Sequence, residues 1–465
     1  MKKTILLIIV LTTASTFAQD ISGKWYGILK IPGMQLNITF NINKSENGYT
    51  STMDSPDQKA FGIPTTSTSF ENSILKIAIA NARIEFEGIL AKDSTINGNF
   101  KQAGQSIPLL LSKEKVQKEK IVRPQVPTKP YPYISEDITF ENKQAGITLA
   151  GTLTLPKKEG KFPVVVLISG SSPQNRDEEI LGHKPFLVLS DHLTRNGIAV
   201  LRYDDRGTGE SKGDFKTGTS LDFSTDAQAA VNYLKTRTEI NQNQIGLIGH
   251  SEGGLIAPML AAKSKEIAFI VLLAGPGIAG DQILLLQQEL IAKASGVPDT
   301  EIQKTKNANI DIFKIVKKSK KLEQLKTDLS IHLKQSLKEN LTSVKPAGMS
   351  DDDFIKIQLN QIATPWMQYF IKYDPTQALQ KVKCPVLALN GEKDLQVPSK
   401  ENLVAIKNIL TKSGNKKITT IEIPNLNHLF QECKTGSPNE YGSIEQTFSP
   451  IALQEISKWI ALQVK

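Results

Sequence analysis

A serine between two glycines occurs twice in this sequence, in Gly249-His-Ser251-Glu-Gly253 and in Gly209-Glu-Ser211-Lys-Gly213. This pattern is typical of a nucleophilic serine on a sharp turn from a strand into a helix, where nearby N–H groups stay free to bind an oxyanion. Ser251 has that context, because an apolar run at 245–248 precedes it and an apolar helical pattern follows. Ser211 lies between polar segments. We predict that Ser251 is the nucleophile and that Ser211 lies in a turn.

A serine nucleophile needs a base, and the chain contains five histidines. His428 lies in a loop directly after the last predicted strand, downstream of Ser251. His250 adjoins the nucleophile, so we expect its side chain to point to the other side of the turn. The remaining three lie near an upstream helix or in a helical insertion: His183, His192 and His332. The pattern favours His428 as the general base.

An acid must orient this imidazole and stabilise its charged form. The predicted strand at 385–390, the last but one, runs into Gly391-Glu-Lys-Asp394. Asp394 fits the acid position best, and Glu392 is its competitor. The order serine, acid, histidine is that of an α/β-hydrolase triad.

The oxyanion hole of such an enzyme combines two backbone N–H groups. One belongs to the residue after the nucleophile, Glu252. The other comes from the loop after the third strand of the sheet, Ser169-Gly-Ser-Ser-Pro173, where Ser171 is the expected donor and Ser172 the alternative.

The elements around these residues alternate. Apolar strands are predicted at 162–168, 198–203, 245–248, 267–273, 385–390 and 418–423, after a hairpin at 138–155. Helices are predicted at 183–195, 225–236, 254–263 and 451–464. Continuous apolar strands that alternate with helices indicate a mostly parallel sheet with helices on both faces. Together with the serine turn, this pattern predicts an α/β-hydrolase fold over 134–465. A Lys-rich helical stretch at about 278–381 interrupts the sheet and is expected to form a cap over the site.

The first part of the chain has a different pattern. Residues 1–18 contain a basic start, a short apolar run and a small residue at Ala18, which predicts a cleaved signal peptide and an exported protein, periplasmic or extracellular. Residues 19–112 alternate with a period of two and are broken by Gly and Asn turns, which predicts a small all-β, lipocalin-like domain. Residues 113–133 are rich in Lys and Pro and are expected to form a linker.

Composition excludes several classes of protein. The chain has 465 residues, 39% hydrophobic, and a mean hydropathy of −0.22, which excludes a polytopic membrane protein. Its formal charge of +9 comes from dispersed lysines, so no nucleic-acid partner is expected. No zinc spacing, phosphate-binding loop or dinucleotide fingerprint occurs, so neither a metal nor a cofactor is expected. The sequence leaves the oligomeric state open, a dimer included.

The chain resembles secreted bacterial α/β-hydrolase carboxylesterases that carry a small β domain, which are related to prolyl-oligopeptidase-type serine hydrolases. The resemblance covers 134–465 and rests on five segments: Ser169-Gly-Ser-Ser-Pro-Gln-Asn-Arg-Asp177, His183-Lys-Pro-Phe186, Arg202-Tyr-Asp-Asp-Arg-Gly207, Gly249-His-Ser-Glu-Gly-Gly254 and Trp366-Met-Gln-Tyr-Phe-Ile-Lys-Tyr-Asp-Pro375. It implies hydrolysis of a small ester through an acyl-enzyme. A serine peptidase or amidase is the alternative, although fewer than 120 residues precede the linker, too few for a propeller.

Two further groups of residues accompany these segments. The aromatic residues Trp366, Tyr369 and Phe370 are candidates for substrate binding, but packing of the cap against the body is the favoured interpretation. Asp204, Asp205 and Arg206 follow the fourth strand of the sheet. We expect them to form an internal ion pair that shapes the loop beside the site.

Overall fold

The computed structural model of the protein describes residues 20–31, 34–46, 48–58, 60–102, 105–118, 122–339 and 350–465. The described residues form two compact units, one comprising most of those between 20 and 118 and the other those from 122 to 465. This division falls within the predicted linker. The predicted signal peptide lies outside the described residues. Among the helices described, none is both long and apolar enough to cross a bilayer.

The first unit is an antiparallel meander whose sheet curls on itself. Its strands pair in the order β4-β3-β2-β1-β9-β8-β7-β6-β5. The hydroxyls of Ser51 on the third strand and Thr68 on the fifth strand lie 2.7 Å apart, so the curvature of the sheet brings these two strands into contact. Trp25, Phe40 and Phe86 fill its interior. The strands are β1 Gly23–Ile31, β2 Met34–Ser45, β3 Gly48–Ser55, β4 Ala60–Pro64, β5 Ser67–Glu71, β6 Ile74–Ile79, β7 Ile84–Leu90, β8 Ile96–Gln102 and β9 Gln105–Ser112.

The second unit is built on an eight-stranded sheet of order β10-β11-β13-β12-β14-β15-β16-β17. Pairing is antiparallel between β10, β11 and β13 and parallel from β13 onward. The strands are β10 Ile134–Asn142, β11 Ile147–Leu155, β12 Phe162–Ile168, β13 Ala199–Tyr203, β14 Ile240–His250, β15 Phe269–Leu273, β16 Val386–Gly391 and β17 Ile418–Ile423.

Helices cover both faces of this sheet. The two faces bury alternate residues of each strand: Val164 and Val166 of β12 belong to one core cluster, and Val165 and Leu167 belong to the other. This double burial explains why the strands read as unbroken apolar runs. The helices are α1 Pro185–Arg195, α2 Ser220–Leu234, α3 Gly253–Ala261, α4 Gly280–Ala294, α5 Asp299–Lys318, α6 Leu322–Lys338, α7 Asp351–Ile362, α8 Pro365–Lys372, α9 Thr376–Leu379, α10 Ser399–Lys412 and α11 Pro450–Gln463.

The inserted segment contains helices α4 to α9 between β15 and β16, which are adjacent strands of the sheet. Helices α5, α6 and α7 form a hydrophobic cluster of their own, with Phe313, Leu329 and Phe354 in it. The predicted α/β-hydrolase fold with a helical insertion is therefore confirmed.

Helix α2 begins at Ser220, five residues before the predicted start. A capping box explains the difference: the Thr219 side chain accepts a hydrogen bond from the Asp222 N–H, and the Asp222 side chain accepts one from the Thr219 N–H. This pairing satisfies two N–H groups that would otherwise lack partners at the helix start.

Candidate active site

Ser251 occupies the turn between β14 and α3. Its φ of +51° lies in the left-handed region, which costs a residue other than glycine about 1–3 kcal/mol. The two flanking glycines allow this turn because a Cβ at Gly249 would lie 2.0 Å from the carbonyl oxygen of Gly253. A Cβ at Gly253 would lie 2.1 Å from the carbonyl oxygen of Ile168. The sharp turn therefore requires both glycines of the motif.

Asp394 and His428 are brought together from the loops after β16 and β17. Oδ2 of Asp394 lies 2.8 Å from Nδ1 of His428, and both side chains are buried. Oδ1 of the same carboxylate accepts hydrogen bonds from the N–H groups of Gln396 and Val397, each at 2.8 Å. These backbone donors hold the carboxylate in place beside the imidazole.

Ser251 and His428 line one pocket of about 390 Å³. The other sequence candidates have different contacts. Glu392, the competing acid, accepts a hydrogen bond from the N–H of Asn425 instead. Ser211, the serine of the second motif, is buried in a loop, where its hydroxyl donates to the Asp204 carbonyl and accepts from the N–H of Ala150. Its hydroxyl is engaged by the backbone, which fits the predicted turn.

The predicted oxyanion donors also lie at this pocket. Ser171, Ser172 and Glu252 are among its lining residues. Within the described ranges, neither the Ser171 N–H nor the Glu252 N–H donates a hydrogen bond to another protein group. The N–H of Gly170, in contrast, donates to Glu178 at 2.8 Å. The two predicted N–H groups thus have no protein acceptor among the described residues.

The loop that carries Ser171 is held by the residues after β13. The Asp205 carboxylate accepts hydrogen bonds from the Ser169 hydroxyl and the Gln174 N–H. Burial raises the pKa of Asp205 to about 8, although these two donors oppose the rise. Asp205 therefore shapes the loop through hydrogen bonds and not through the ion pair expected from the sequence.

Its two neighbours do form ion pairs. Asp204 pairs with Arg176 at 2.7 Å, and Arg206 pairs with Asp226 at 2.7 Å. Burial opposes ionisation of Asp204, but Arg176 and two backbone N–H groups outweigh it, so the pKa of this carboxyl is lowered. The expected internal pairs are present, with partners outside the Asp204–Arg206 segment itself.

Of the three candidate aromatic residues, two line the pocket. Trp366 and Phe370, four residues apart on α8, stack on each other at 5.1 Å. The indole N–H of Trp366 also donates to Oε1 of Glu252 at 2.8 Å. Trp366 therefore both lines the pocket and packs the cap against the serine turn.

Tyr369 requires a correction, because it is not among the residues that line this pocket. It precedes Phe370 by one residue, which is about 100° of helix rotation. Its ring stacks on Tyr373 at 5.6 Å instead.

His250 also differs from the sequence-based expectation. Its ring does not point away from the site: it lies 4.9 Å from the ring of His428, and the residue lines the pocket. Nδ1 lies 2.8 Å from Oε1 of Glu178, and Nε2 lies 3.0 Å from the carbonyl oxygen of His428. Glu178, which follows the Ser169–Asp177 segment by one residue, was not among the residues predicted from the sequence.

The sequence profile of the X-Pro dipeptidyl-peptidase (S15) family matches residues 145–421. The chain belongs to the S15 family. This match spans β11 to β17 and includes Ser251 and Asp394, while His428 lies just beyond it. The predicted hydrolase class is thereby confirmed for this S15 chain.

Proteins named as esterases are also similar to this chain. Esterase EstD from Thermotoga maritima is 27% identical over 335 residues, which cover 69% of this chain and 68% of the relative. Among solved structures, Est1E from Butyrivibrio proteoclasticus with bound ferulic acid is 17% identical to this chain and superposes with a TM-score of 0.41. The match covers 70% of this chain and 99% of the Est1E chain. The Pyrococcus furiosus esterase Pf2001 is 14% identical, with coverage of 75% and 98% and a TM-score of 0.42.

Proposed function

We propose that the protein is a serine carboxylesterase that works through an acyl-enzyme. The single observation that carries this proposal is the Asp394–His428 pair, held in the same pocket as a serine on a strained turn. A buried acid–histidine pair beside such a serine is the arrangement that activates a hydroxyl as a nucleophile.

The reaction proceeds in two stages. Nε2 of His428 takes the Ser251 proton while the serine oxygen attacks the ester carbonyl, and the N–H groups of Glu252 and Ser171 stabilise the resulting oxyanion. Collapse of the tetrahedral intermediate breaks the bond to the alcohol, which leaves with the proton from His428. Water, deprotonated by His428, then attacks the acyl-enzyme, and the acid is released as His428 returns this proton to the Ser251 oxygen. Asp394 stabilises the imidazolium in both stages.

The lining of the pocket supports an apolar acyl group. The cap contributes Ile283, Leu284, Trp366 and Phe370, and the body contributes Ile180, Val397 and Leu429. Its volume of about 390 Å³ lies near the lower end of the usual range for small-molecule sites, about 300–1,000 Å³. We therefore expect short to medium acyl chains to be preferred.

The test is hydrolysis of p-nitrophenyl esters from C2 to C12 by the protein and by Ser251→Ala. Removal of a triad serine is expected to lower kcat by about 10⁶-fold. A fluorophosphonate probe should label the protein and not the variant. Near wild-type turnover in Ser251→Ala, or in His428→Ala, would overturn the proposal.

A serine peptidase or amidase is the second candidate, and the S15 family match favours it. The same triad would serve both reactions, so an aminoacyl-arylamide panel must be measured beside the ester panel. Fluorophosphonate labelling at Ser251 with arylamide turnover and no ester turnover would support the peptidase.

We propose further that the protein is exported through residues 1–18, on the basis of the basic, apolar and small-residue pattern in that segment. N-terminal sequencing of the protein from fractionated cells tests this. A mature N-terminus at Gln19 in a periplasmic or extracellular fraction is the expected result, and an intact Met1 in the cytoplasmic fraction would contradict it.

A further inference from the structure

A second acid–histidine pair lies beside the first. The Glu178 side chain is 5% exposed and the His250 side chain 9%, and their contact joins Oε1 to Nδ1 at 2.8 Å. The mechanism above does not use either side chain. Two buried ionisable groups in contact are rarely retained without hydrogen bonds that satisfy them, so the partners of each atom indicate what the pair does.

The hydrogen bonds place one hydrogen on His250 and a second between His250 and Glu178. Its Nε2 faces the carbonyl oxygen of His428 at 3.0 Å, and a carbonyl only accepts, so Nε2 must carry a hydrogen. Its Nδ1 faces Oε1 of Glu178, and that oxygen already accepts from the N–H of Gly170. A contact of 2.8 Å between Nδ1 and Oε1 holds one hydrogen between the two atoms, and the raised pKa of His250 assigns this hydrogen to Nδ1. The pair is therefore an imidazolium held against a carboxylate.

The charges around His250 agree with this assignment. Burial alone would lower its pKa, but Glu178 outweighs burial, and the His428 carbonyl and Asp394 act in the same direction, so the pKa of His250 is raised. The titratable groups that face it are Glu178, Asp394 and the ring of His428 at 4.9 Å. Because Glu178 neutralises it, the His250 cation adds no net charge beside the catalytic imidazole.

Through these bonds the pair connects three parts of the site. Glu178 holds Gly170, next to the oxyanion donor Ser171. His250 is the residue before Ser251. The His428 carbonyl belongs to the base itself. Space at this junction is restricted, because a Cβ at Gly170 would lie 3.2 Å from Cβ of Ser251.

We propose that Glu178 and His250 are positioning residues that set the oxyanion loop and the His428 loop relative to Ser251. This inference rests on the proposed function, since positions matter only if these groups carry the reaction. Displacement of reacting groups by about 1 Å is sufficient to lower a rate about 100-fold. The pair acts as one unit, so removal of either member releases both loops.

Glu178→Gln provides the sharpest test. The amide oxygen of glutamine still accepts from Gly170, but the compensating charge is lost, and His250 then releases its proton at lower pH. One of its two hydrogen bonds disappears with that proton. We expect kcat to stay near wild type at about pH 6 and to fall about 10- to 100-fold at about pH 8, with KM changed far less.

His250→Gln and the double variant complete the cycle. His250→Gln should lower kcat at every pH, and the double variant should be no slower than His250→Gln alone, because members of one unit are not additive. His192→Gln and Glu239→Gln are matched controls. His192 bonds Ser457 on α11, and Glu239 precedes the far end of β14, about 30 Å of strand from His250. Both controls should keep the wild-type pH profile.

Two results would overturn the inference: a wild-type pH profile in Glu178→Gln, or losses in the two single variants that multiply in the double variant.

A readout independent of turnover distinguishes failure of this inference from failure of the proposed function. Two downfield N–H proton resonances of His250 should persist at about pH 8 in the wild type, and one should vanish in Glu178→Gln. If His250→Gln fails to fold, the profile and spectrum of Glu178→Gln decide the matter. A protein that shows these resonances but hydrolyses no ester and takes no probe would refute the esterase and leave the pair standing. Absence of the resonances in the wild type would refute the pair.

Discussion

The carboxylate of Asp394 divides its two oxygens between different partners. Oδ2 contacts Nδ1 of His428 at 2.8 Å, and Oδ1 accepts from two consecutive N–H groups of its own loop, those of Gln396 and Val397. The acid is therefore fixed by the backbone before it orients the imidazole. This division separates its effect on catalysis from its effect on folding.

Asp394→Asn is expected to keep the fold and lose activity. The amide oxygen can still accept from the loop N–H groups, but the amide nitrogen then faces Nδ1 and imposes the wrong tautomer on His428. We expect kcat to fall about 10⁴-fold, as in other enzymes with this triad, with little change in the midpoint of thermal unfolding. Asp394→Ala should also lower that midpoint because two loop N–H groups lose their acceptor. Equal unfolding midpoints for the two variants would contradict the argument.

Ser251→Gly is expected to be more stable than Ser251→Ala. Both variants lose the nucleophile, but only glycine relieves the left-handed backbone at φ +51°. The expected difference in the free energy of unfolding is about 1 kcal/mol in favour of glycine. At positions with negative φ, glycine usually gives a lower free energy of unfolding than alanine. Urea unfolding of the two variants therefore distinguishes a strained turn from an unstrained one. A less stable glycine variant would show that the turn is unstrained.

The unfolding free energy of the wild-type protein is expected to fall as pH rises because of Asp205. Asp205→Asn should abolish this fall. The folded protein keeps the Asp205 proton up to about pH 8, whereas the unfolded chain releases it near the ordinary aspartate pKa of 3.8. The unfolded state therefore binds fewer protons between these values, and the free energy of unfolding falls as pH rises through that window. Asparagine resembles the protonated acid and should flatten this part of the profile in urea unfolding.

Asp204→Asn is the matched control for the urea unfolding of Asp205→Asn. The two neighbouring carboxyls affect the pH dependence of the unfolding free energy in opposite directions. The pKa of Asp204 is lowered in the folded state, so its ionised form contributes stability above the unfolded pKa that is lost as pH falls. The substitution should destabilise the protein at neutral pH and have less effect in acid. The same response from both variants would contradict the assigned protonation states.

Trp366→Phe is expected to weaken the contact between the cap and the serine turn. Phenylalanine keeps the stacking on Phe370 but removes the N–H that donates to the buried Glu252 carboxyl. Burial already raises the pKa of Glu252, and loss of this donor should raise it further. We expect a loss of about 1–3 kcal/mol in the free energy of unfolding and a reduced kcat/KM. Tyr369→Phe, outside the pocket, should change kcat/KM little.

Local patterns determined what could be predicted from the sequence. The strands and the serine turn were predictable because double burial and the paired glycines leave direct marks on residue type. Glu178 was not, because its importance depends on a contact with His250, 72 residues away, which no local pattern records. Helix α10 was missed as well. It begins after Pro398, which offers no side-chain cap, so the capping residue that usually marks a helix start in a sequence is absent.

The position of the cap within the chain has a consequence for the history of the protein. The chain leaves the sheet after β15 and returns at β16, the adjacent strand, with Ile270 opposite Val386. A gene segment that encodes the roof of the pocket can therefore be exchanged for another without a change in strand order. Ser251 and His428 remain on the sheet body through such an exchange. Substrate range can then diverge among descendants while the reaction itself is inherited unchanged.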